Sequence, residues 1–245
     1  MTEFSLAFDT QAVQLGTPHD EAVGAIAPPL FLSTTFERAP DGSYPSGYEY
    51  ARDDNPNRSM LERAGGSLEG GTDAAAFASG SAAAMTLFQA LSPGDHVIAP
   101  DDMYYGVRLM LERCFARWGL GVTLVDTTST ENIAAAMQER TRIVFIETPS
   151  NPQVKVTDIA AAADVAHAGG ALLVCDNTMA TPVLQRPLAL GADMVLHSTT
   201  KYLSGHHDAM GGALVTKNEN PLWSELRFLQ KCCGAIPSPF ACWLT

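Results

Sequence analysis

A chain of 245 residues with 46% hydrophobic and 17% charged positions can bury a sizeable core, which excludes wholesale disorder. Its 27 acidic against 15 basic residues leave a net charge of −12, which argues against nucleic acid and anionic membrane surfaces as partners. Apolar runs such as Ala171 to Cys175 are far too short to cross a bilayer, and with Arg38 the first basic residue no basic leader is expected. Five cysteines without a CxxC pair point to reduced thiols and a cytoplasmic location. Cys232, Cys233 and Cys242 match no common zinc spacing and are expected to serve packing, so no metal is expected.

Residues 1 to 58 hold Pro28, Pro29, Pro40, Pro45 and Pro56, with Gly42 and Gly47 between them. They predict an extended arm, interrupted by one short periodic stretch at Phe8, Ala12, Val13 and Leu15. Phe31, Leu32, Phe36, Tyr44, Tyr48 and Tyr50 are costly to leave in water, so the arm should lie on a protein surface. The second unit, 59–245, alternates. A helix is predicted over 58–69, a strand at 74–78 and an alanine-rich helix over 81–91. A strand at 96–99 then follows the Pro93-Gly94-Asp95 turn, leading into a helix over 105–118. Next come a strand at 121–125, a helix over 130–139, a strand at 142–147, a helix over 157–168, and strands at 171–175 and 193–197. Strands separated by helices imply right-handed crossovers, hence an α/β fold with a mostly parallel sheet and helices on both faces. Gly65 and Gly66 stand inside the first helix, at about 1 kcal/mol each relative to Ala, with no evident reason. Ser238-Pro239 is a good helix start, but the apolar run from Phe240 to Leu244 ends with the chain, as if a helix were begun and cut.

In an open parallel sheet, ligands bind outside the carboxyl ends of the strands. Three predicted strand ends deliver polar groups there. One runs into Glu147-Thr-Pro-Ser-Asn151-Pro, one into Asp176-Asn177-Thr178, and one into His197-Ser198-Thr199-Thr200-Lys201. An amine and a carboxylate answer the two demands of pyridoxal 5′-phosphate (PLP). A lysine must bind the cofactor's aldehyde and later shuttle the substrate's α-proton; an acid must keep the pyridine nitrogen protonated. Lys201 and Asp176 can fill those roles, and Asn151 can hydrogen-bond the ring's phenolic oxygen. Ser79-Gly80-Ser81 opens a helix whose free N–H groups suit a phosphate. Ser198 and Thr200 add hydroxyls, and Arg52 of the arm can supply positive charge. Each residue alone has an ordinary explanation: Asp176 as a turn residue, Ser79 as a cap, Lys201 as a solvated side chain, Tyr104 and Tyr105 as plain aromatics. A dinucleotide fold has less behind it, since no GxGxxG follows the early strands.

Taken together, these segments resemble the Cys/Met-metabolism family of PLP enzymes over essentially the whole chain. The most specific portion is His197-Ser-Thr-Thr-Lys201-Tyr-Leu-Ser-Gly-His-His-Asp208 followed by Met210-Gly211-Gly212. Tyr50-Ala-Arg52, Asn55-Pro56, Ser79-Gly80, the Glu147–Pro152 stretch and Asp176-Asn177-Thr178 agree in order. The resemblance implies the large domain of a type I PLP-dependent transferase fold, with Lys201 carrying the cofactor as a Schiff base and Asp176 facing the pyridinium. It also implies that Gly80, Ser81, Ser198, Thr200 and Thr178 surround the cofactor. Tyr104, ahead of Tyr105, would stack on the ring and assist proton transfer. Tyr50 and Arg52 would reach the phosphate of a neighbouring subunit, making the protein a dimer or tetramer acting on a small amino-acid substrate.

Asn57 and Ser81 depart from the usual Thr and Met. Tyr105-Gly106-Val107 lacks the cysteine of methionine γ-lyases and disfavours that member. Family members continue into a second domain bearing the arginine that clamps the substrate carboxylate, and this chain stops before it. The implied activity is trans-sulfuration, of cystathionine γ-synthase or γ-lyase type ahead of a sulfhydrylase. The competing expectation is a truncated PLP binder of little activity.

Overall fold

The computed structural model describes residues 6–15 and 23–245; the parts of the expected arm at 1–5 and 16–22 lie outside them. Strands β1 (Asp73–Phe77), β2 (His96–Pro100), β3 (Gly121–Val125), β4 (Thr141–Glu147), β5 (Leu172–Asp176), β6 (Met194–His197) and β7 (Gly212–Thr216) form one sheet. The order is β1-β7-β6-β5-β4-β2-β3. The run from β3 to β6 is parallel, as expected, while β7 lies antiparallel to both β6 and β1. The sequence reading missed β7. No helix separates it from β6, so the strand–helix alternation gave no signal, and antiparallel neighbours need no crossover.

Side chains alternate across this sheet with period two, and the two cores show it. Phe77, Phe145, Val174, Leu196 and Leu214 face one layer, packed by α3 (Gly80–Gln89) and α8 (Pro221–Cys233) through Leu87, Phe88, Trp223 and Leu226. Ala74, Val144, Ile146, Leu173, Cys175, Val195 and Val215 face the other, against α5 (Thr130–Ala136) and α6 (Ile159–Ala168). The helix α2 (Pro56–Glu69) joins this second layer, where Gly66 abuts Ala74.

Several boundaries move. Asn55 caps α2, with Pro56 at its first turn, so the helix starts earlier than 58. The stretch expected as one helix over 105–118 is α4 (Tyr105–Leu109), a π turn (Met110–Cys114) and a 3-10 turn (Phe115–Trp118), ended by Gly119 at φ 79°. Asp158 caps α6 by accepting from Ala161 N–H, so that helix begins at Ile159 instead of 157. Asn220-Pro221 opens α8 with the same cap-and-proline signal as Ser238-Pro239, which opens α9 (Pro239–Leu244). Of the three C-terminal cysteines, only Cys242 packs inside; Cys232 and Cys233 are exposed.

The described part of the arm carries α1 (Phe8–Gln14) and is otherwise extended, with one isolated bridge between Thr35 and Tyr50. Its two ends are tied to the surface of its own chain, while Leu32 and Tyr50, expected to be covered, stay exposed at 69% and 41%. Asn57 ties Pro29 O and Phe31 N at 2.9 Å each, and Trp243 Nε1 donates to Pro28 O at 2.8 Å. Buried Arg58 donates to the carbonyls of Ala51 (2.9 Å) and Arg52 (3.4 Å). Among the described residues, no helix is long and apolar enough to cross a membrane.

Candidate active site

Glu147 ends β4 and Asp176 ends β5, and the two are register partners. By the period-two rule they point to the same face as Phe145 and Val174, the face covered by α3. Both are buried. Loss of water, then the nearby Asp176 charge, push the Glu147 carboxyl up to about 8. Burial also raises Asp176, but hydrogen bonds from the hydroxyl and backbone N–H of Thr178, and the charge of His197, pull it back.

Helix α3 brings its N-terminus to the same place. Ser79 caps it by accepting from Ala82 N–H at 3.0 Å, and the N–H groups of Gly80 and Ser81 precede any intrahelical acceptor. A Cβ on Gly80 would stand 2.8 Å from Ser198 Cβ and 3.0 Å from its Cα, so glycine is what lets the helix start touch β6's exit. Thr178 Oγ1 accepts from Ser198 N–H at 2.8 Å, linking that exit to Asp176. Lys201 follows one turn later, its N–H donating to Ser198 O at 3.1 Å. Its side chain is exposed and makes no hydrogen bond or ion pair among the described residues. Thr200 Oγ1 donates to Gly211 O at 3.1 Å and accepts from Gly211 N–H at 3.0 Å, so its hydroxyl is already engaged.

On the other side, Glu147 accepts from Tyr104 N–H through Oε2 and from Asn151 N–H through Oε1, both at 2.8 Å. Tyr104 and not Tyr105 is thereby tied to the strand ends. Its ring lies over Gly106, where a Cβ would meet Tyr104 Cε1 at 2.5 Å. Asn151 is exposed. The structure thus gathers Gly80, Ser81, Tyr104, Asn151, Asp176, Thr178, Ser198, Thr200 and Lys201 around one sheet edge. Tyr50 and Arg52 stay apart: Arg52 donates to Lys231 O at the end of α8, pairs with Asp53 at 3.2 Å, and sits 5.4 Å over the Tyr50 ring. The enclosed cavity, about 30 Å³ between α2 and the sheet, lies on the opposite face beside His197 and is not this site.

These residues fit PLP. A buried acid stands for the pyridine nitrogen, an unpaired amine for the aldehyde, and free N–H groups with the Ser198 hydroxyl for the phosphate, drawn together by the close approach at Gly80. The sequence profile of the Cys/Met metabolism PLP-dependent enzymes matches residues 9–245.

The chain belongs to that family.

A probable cystathionine gamma-synthase of Herpetosiphon aurantiacus is 43% identical over 237 residues, covering 97% of this chain and 74% of that protein. A cystathionine beta-lyase of Coxiella burnetii is 41% identical over 95% of this chain and 60% of its own length. The crystal structure of a cystathionine gamma-lyase from Lactobacillus plantarum, complexed with L-serine, superposes with a TM-score of 0.93 at 40% identity. It covers 98% of this chain, which spans 62% of that one. The fold is that of these PLP enzymes, and PLP is the family's cofactor.

Glu147 opens the Glu147–Pro152 motif, and nothing in that motif alone assigns it a task. Its period-two alignment with Asp176 could have revealed it. Glu69, which hydrogen-bonds His197 from α2, had no local signal at all.

Proposed function

We propose that the chain is the cofactor-binding part of a trans-sulfuration enzyme that eliminates or replaces a group at Cγ or Cβ of a sulfur amino acid or O-acylhomoserine. The γ-synthase and γ-lyase types are favoured, with a sulfhydrylase or methionine γ-lyase type behind them. One observation carries the reading: Asp176 is buried and bound by Thr178, Thr178 holds Ser198, and Ser198 touches the start of α3 one turn before Lys201.

When bound, PLP supplies an electron sink that makes the substrate's α-proton removable. Asp176 would face the ring nitrogen and keep it protonated; burial raises its carboxyl, and the Thr178 donors offset part of that rise. Lys201 would hold the cofactor's aldehyde end, and its free amine would carry the proton from the substrate's Cα. Gly80, Ser81, Ser198 and Thr200 hold the phosphate, with Thr200 giving up its bond to Gly211. Tyr104, anchored through Glu147, faces the ring, and Asn151 bonds its phenolic oxygen. The arm, 1–58, lends Tyr50 and Arg52 to a neighbouring subunit of a dimer or tetramer, while 59–245 form the cofactor domain. Five cysteines without a CxxC pair suit a cytoplasmic enzyme acting on a small molecule.

A second reading, a PLP binder of little or no activity, has one observation in its favour: the Lys201 side chain is uncovered. It predicts PLP binding without turnover. Incubating the PLP-loaded protein with L-cystathionine, or with an O-acylhomoserine plus cysteine, separates the two. Release of an α-keto acid or formation of cystathionine supports the enzyme; yellow protein with neither product supports the binder.

A further inference from the structure

Glu69 is the last residue of α2, and it reaches the rear of the sheet directly behind the site. Its Oε1 accepts from His197 Nε2 at 2.5 Å and from Asn177 Nδ2 at 2.8 Å. Carboxylate and imidazole are each 2% exposed. Asn177 follows Asp176, and His197 precedes Ser198, so one oxygen joins the ends of β5 and β6 from behind. Thr178 and Ser198 join the same ends from the front.

The strand ladder offers no substitute. Pairing of β5 with β6 stops at Asp176 and Leu196, with one last bond from Asn177 N–H to Leu196 O at 3.0 Å. Past that point side chains hold the strands. Asn177 is gripped on its other side too: Gln185 Nε2 donates to Asn177 Oδ1 and to Thr148 O, both at 2.9 Å. A hydrogen-bonded chain therefore runs behind the ends of β4, β5 and β6, next to Glu147, Asp176 and Ser198 in turn. Energetics make the choice of residue informative. A carboxylate at a helix C-terminus faces the negative end of the dipole, and burying it costs more still. An apolar side chain would fill the space without either cost.

We infer that Glu69 is a positioning residue: by gripping Asn177 and His197 together, it fixes the spacing between the Asp176 carboxylate and the Ser198–Lys201 segment. The inference rests on the PLP reading above. Gln at this position keeps an oxygen for both donors, whereas Asp is one methylene too short to reach them.

The test is PLP titration of the wild-type chain, Glu69→Gln, Glu69→Asp and Glu69→Ala. Visible absorption and fluorescence quenching are read at a temperature where circular dichroism shows each protein folded. Wild type and Glu69→Gln should bind alike. Glu69→Asp and Glu69→Ala should bind about ten-fold or more weakly, with a shifted visible band, as misplacement of paired groups predicts. A purely structural role would lower the melting temperature and leave the affinity of the folded protein unchanged. Should Glu69→Ala not fold, Glu69→Asp decides. Equal affinity in Glu69→Asp overturns the inference, and so does an equal loss in Glu69→Gln, which would assign the effect to charge. A wild-type chain that binds no PLP fails the underlying reading instead, a result distinct from either.

Discussion

Glu147 and Asp176 stand side by side at the carboxyl ends of adjacent parallel strands, both buried and both on the face that α3 covers. Like charges so placed do not ionise independently, and the surroundings divide the roles. Asp176 has two Thr178 donors and the charge of His197 to favour its anion. Glu147 is dehydrated and faces Asp176, so it keeps the proton. Both carboxyls are raised by burial; the Thr178 bonds offset part of the rise at Asp176, and the N–H groups of Tyr104 and Asn151 part of that at Glu147, which clamps those two residues.

The sign of the resulting pH effect follows. A carboxyl raised from 4.5 to about 8 on folding contributes stability that is fully present below 4.5 and is lost as pH rises through about 8. Glu147→Gln should flatten the fall of the thermal midpoint across that window. At low pH it should cost about 1 kcal/mol, because the amide can accept only one of the two N–H bonds. Melting curves at several pH values check this; an unchanged slope would refute the assignment.

Gly80→Ala should separate α3 from Ser198, because the added methyl meets the Ser198 Cβ at 2.8 Å and its backbone at 3.0 Å. Overpacking of this kind costs about 1–3 kcal/mol. Denaturant unfolding should show that loss, and PLP titration should show weaker binding in the protein that remains folded.

Arg58 is buried and holds Ala51 and Arg52 of the arm while pairing with Glu62 at 3.8 Å. Arg58→Ala should destabilise by about 1–3 kcal/mol, because the Ala51 and Arg52 carbonyls lose their donor while Glu62 keeps Arg227 at 3.2 Å. Limited proteolysis should then cut between residues 32 and 52 earlier than in wild type.

Gly65 has nothing within 4 Å of the position a Cβ would take. Gly65→Ala should therefore stabilise α2 by about 1 kcal/mol, seen as a raised melting temperature. Neither Gly65 nor Gly66 is required by space, since a methyl on Gly66 would meet Ala74 at an ordinary 3.6 Å.

The parallel core was legible because buried runs such as Ile143-Val-Phe-Ile146 alternate with helical stretches and end in polar residues. The same reading found Asp176, Ser198 and Lys201, which sit at those ends. It failed where the cause was not local. The strand β7 follows β6 without a helix. The 105–118 helix changes pitch at Met110, and the stretch from Val107 to Trp118 holds no Gly or Pro to announce the change. Glu69 and His197 meet across much of the chain, and no spacing rule pairs them. Lys201 was legible by its place after a strand end, but nothing local tells whether its side chain is covered, and the single chain leaves it open.

The central claim is the covalent one, and borohydride reduction of the PLP-loaded protein followed by peptide mass mapping tests it most directly. The account predicts a stable pyridoxyl mass on the peptide containing Lys201, and no label in Lys201→Ala. Label on Lys155, Lys217 or Lys231, or cofactor retained unchanged in Lys201→Ala, would contradict it.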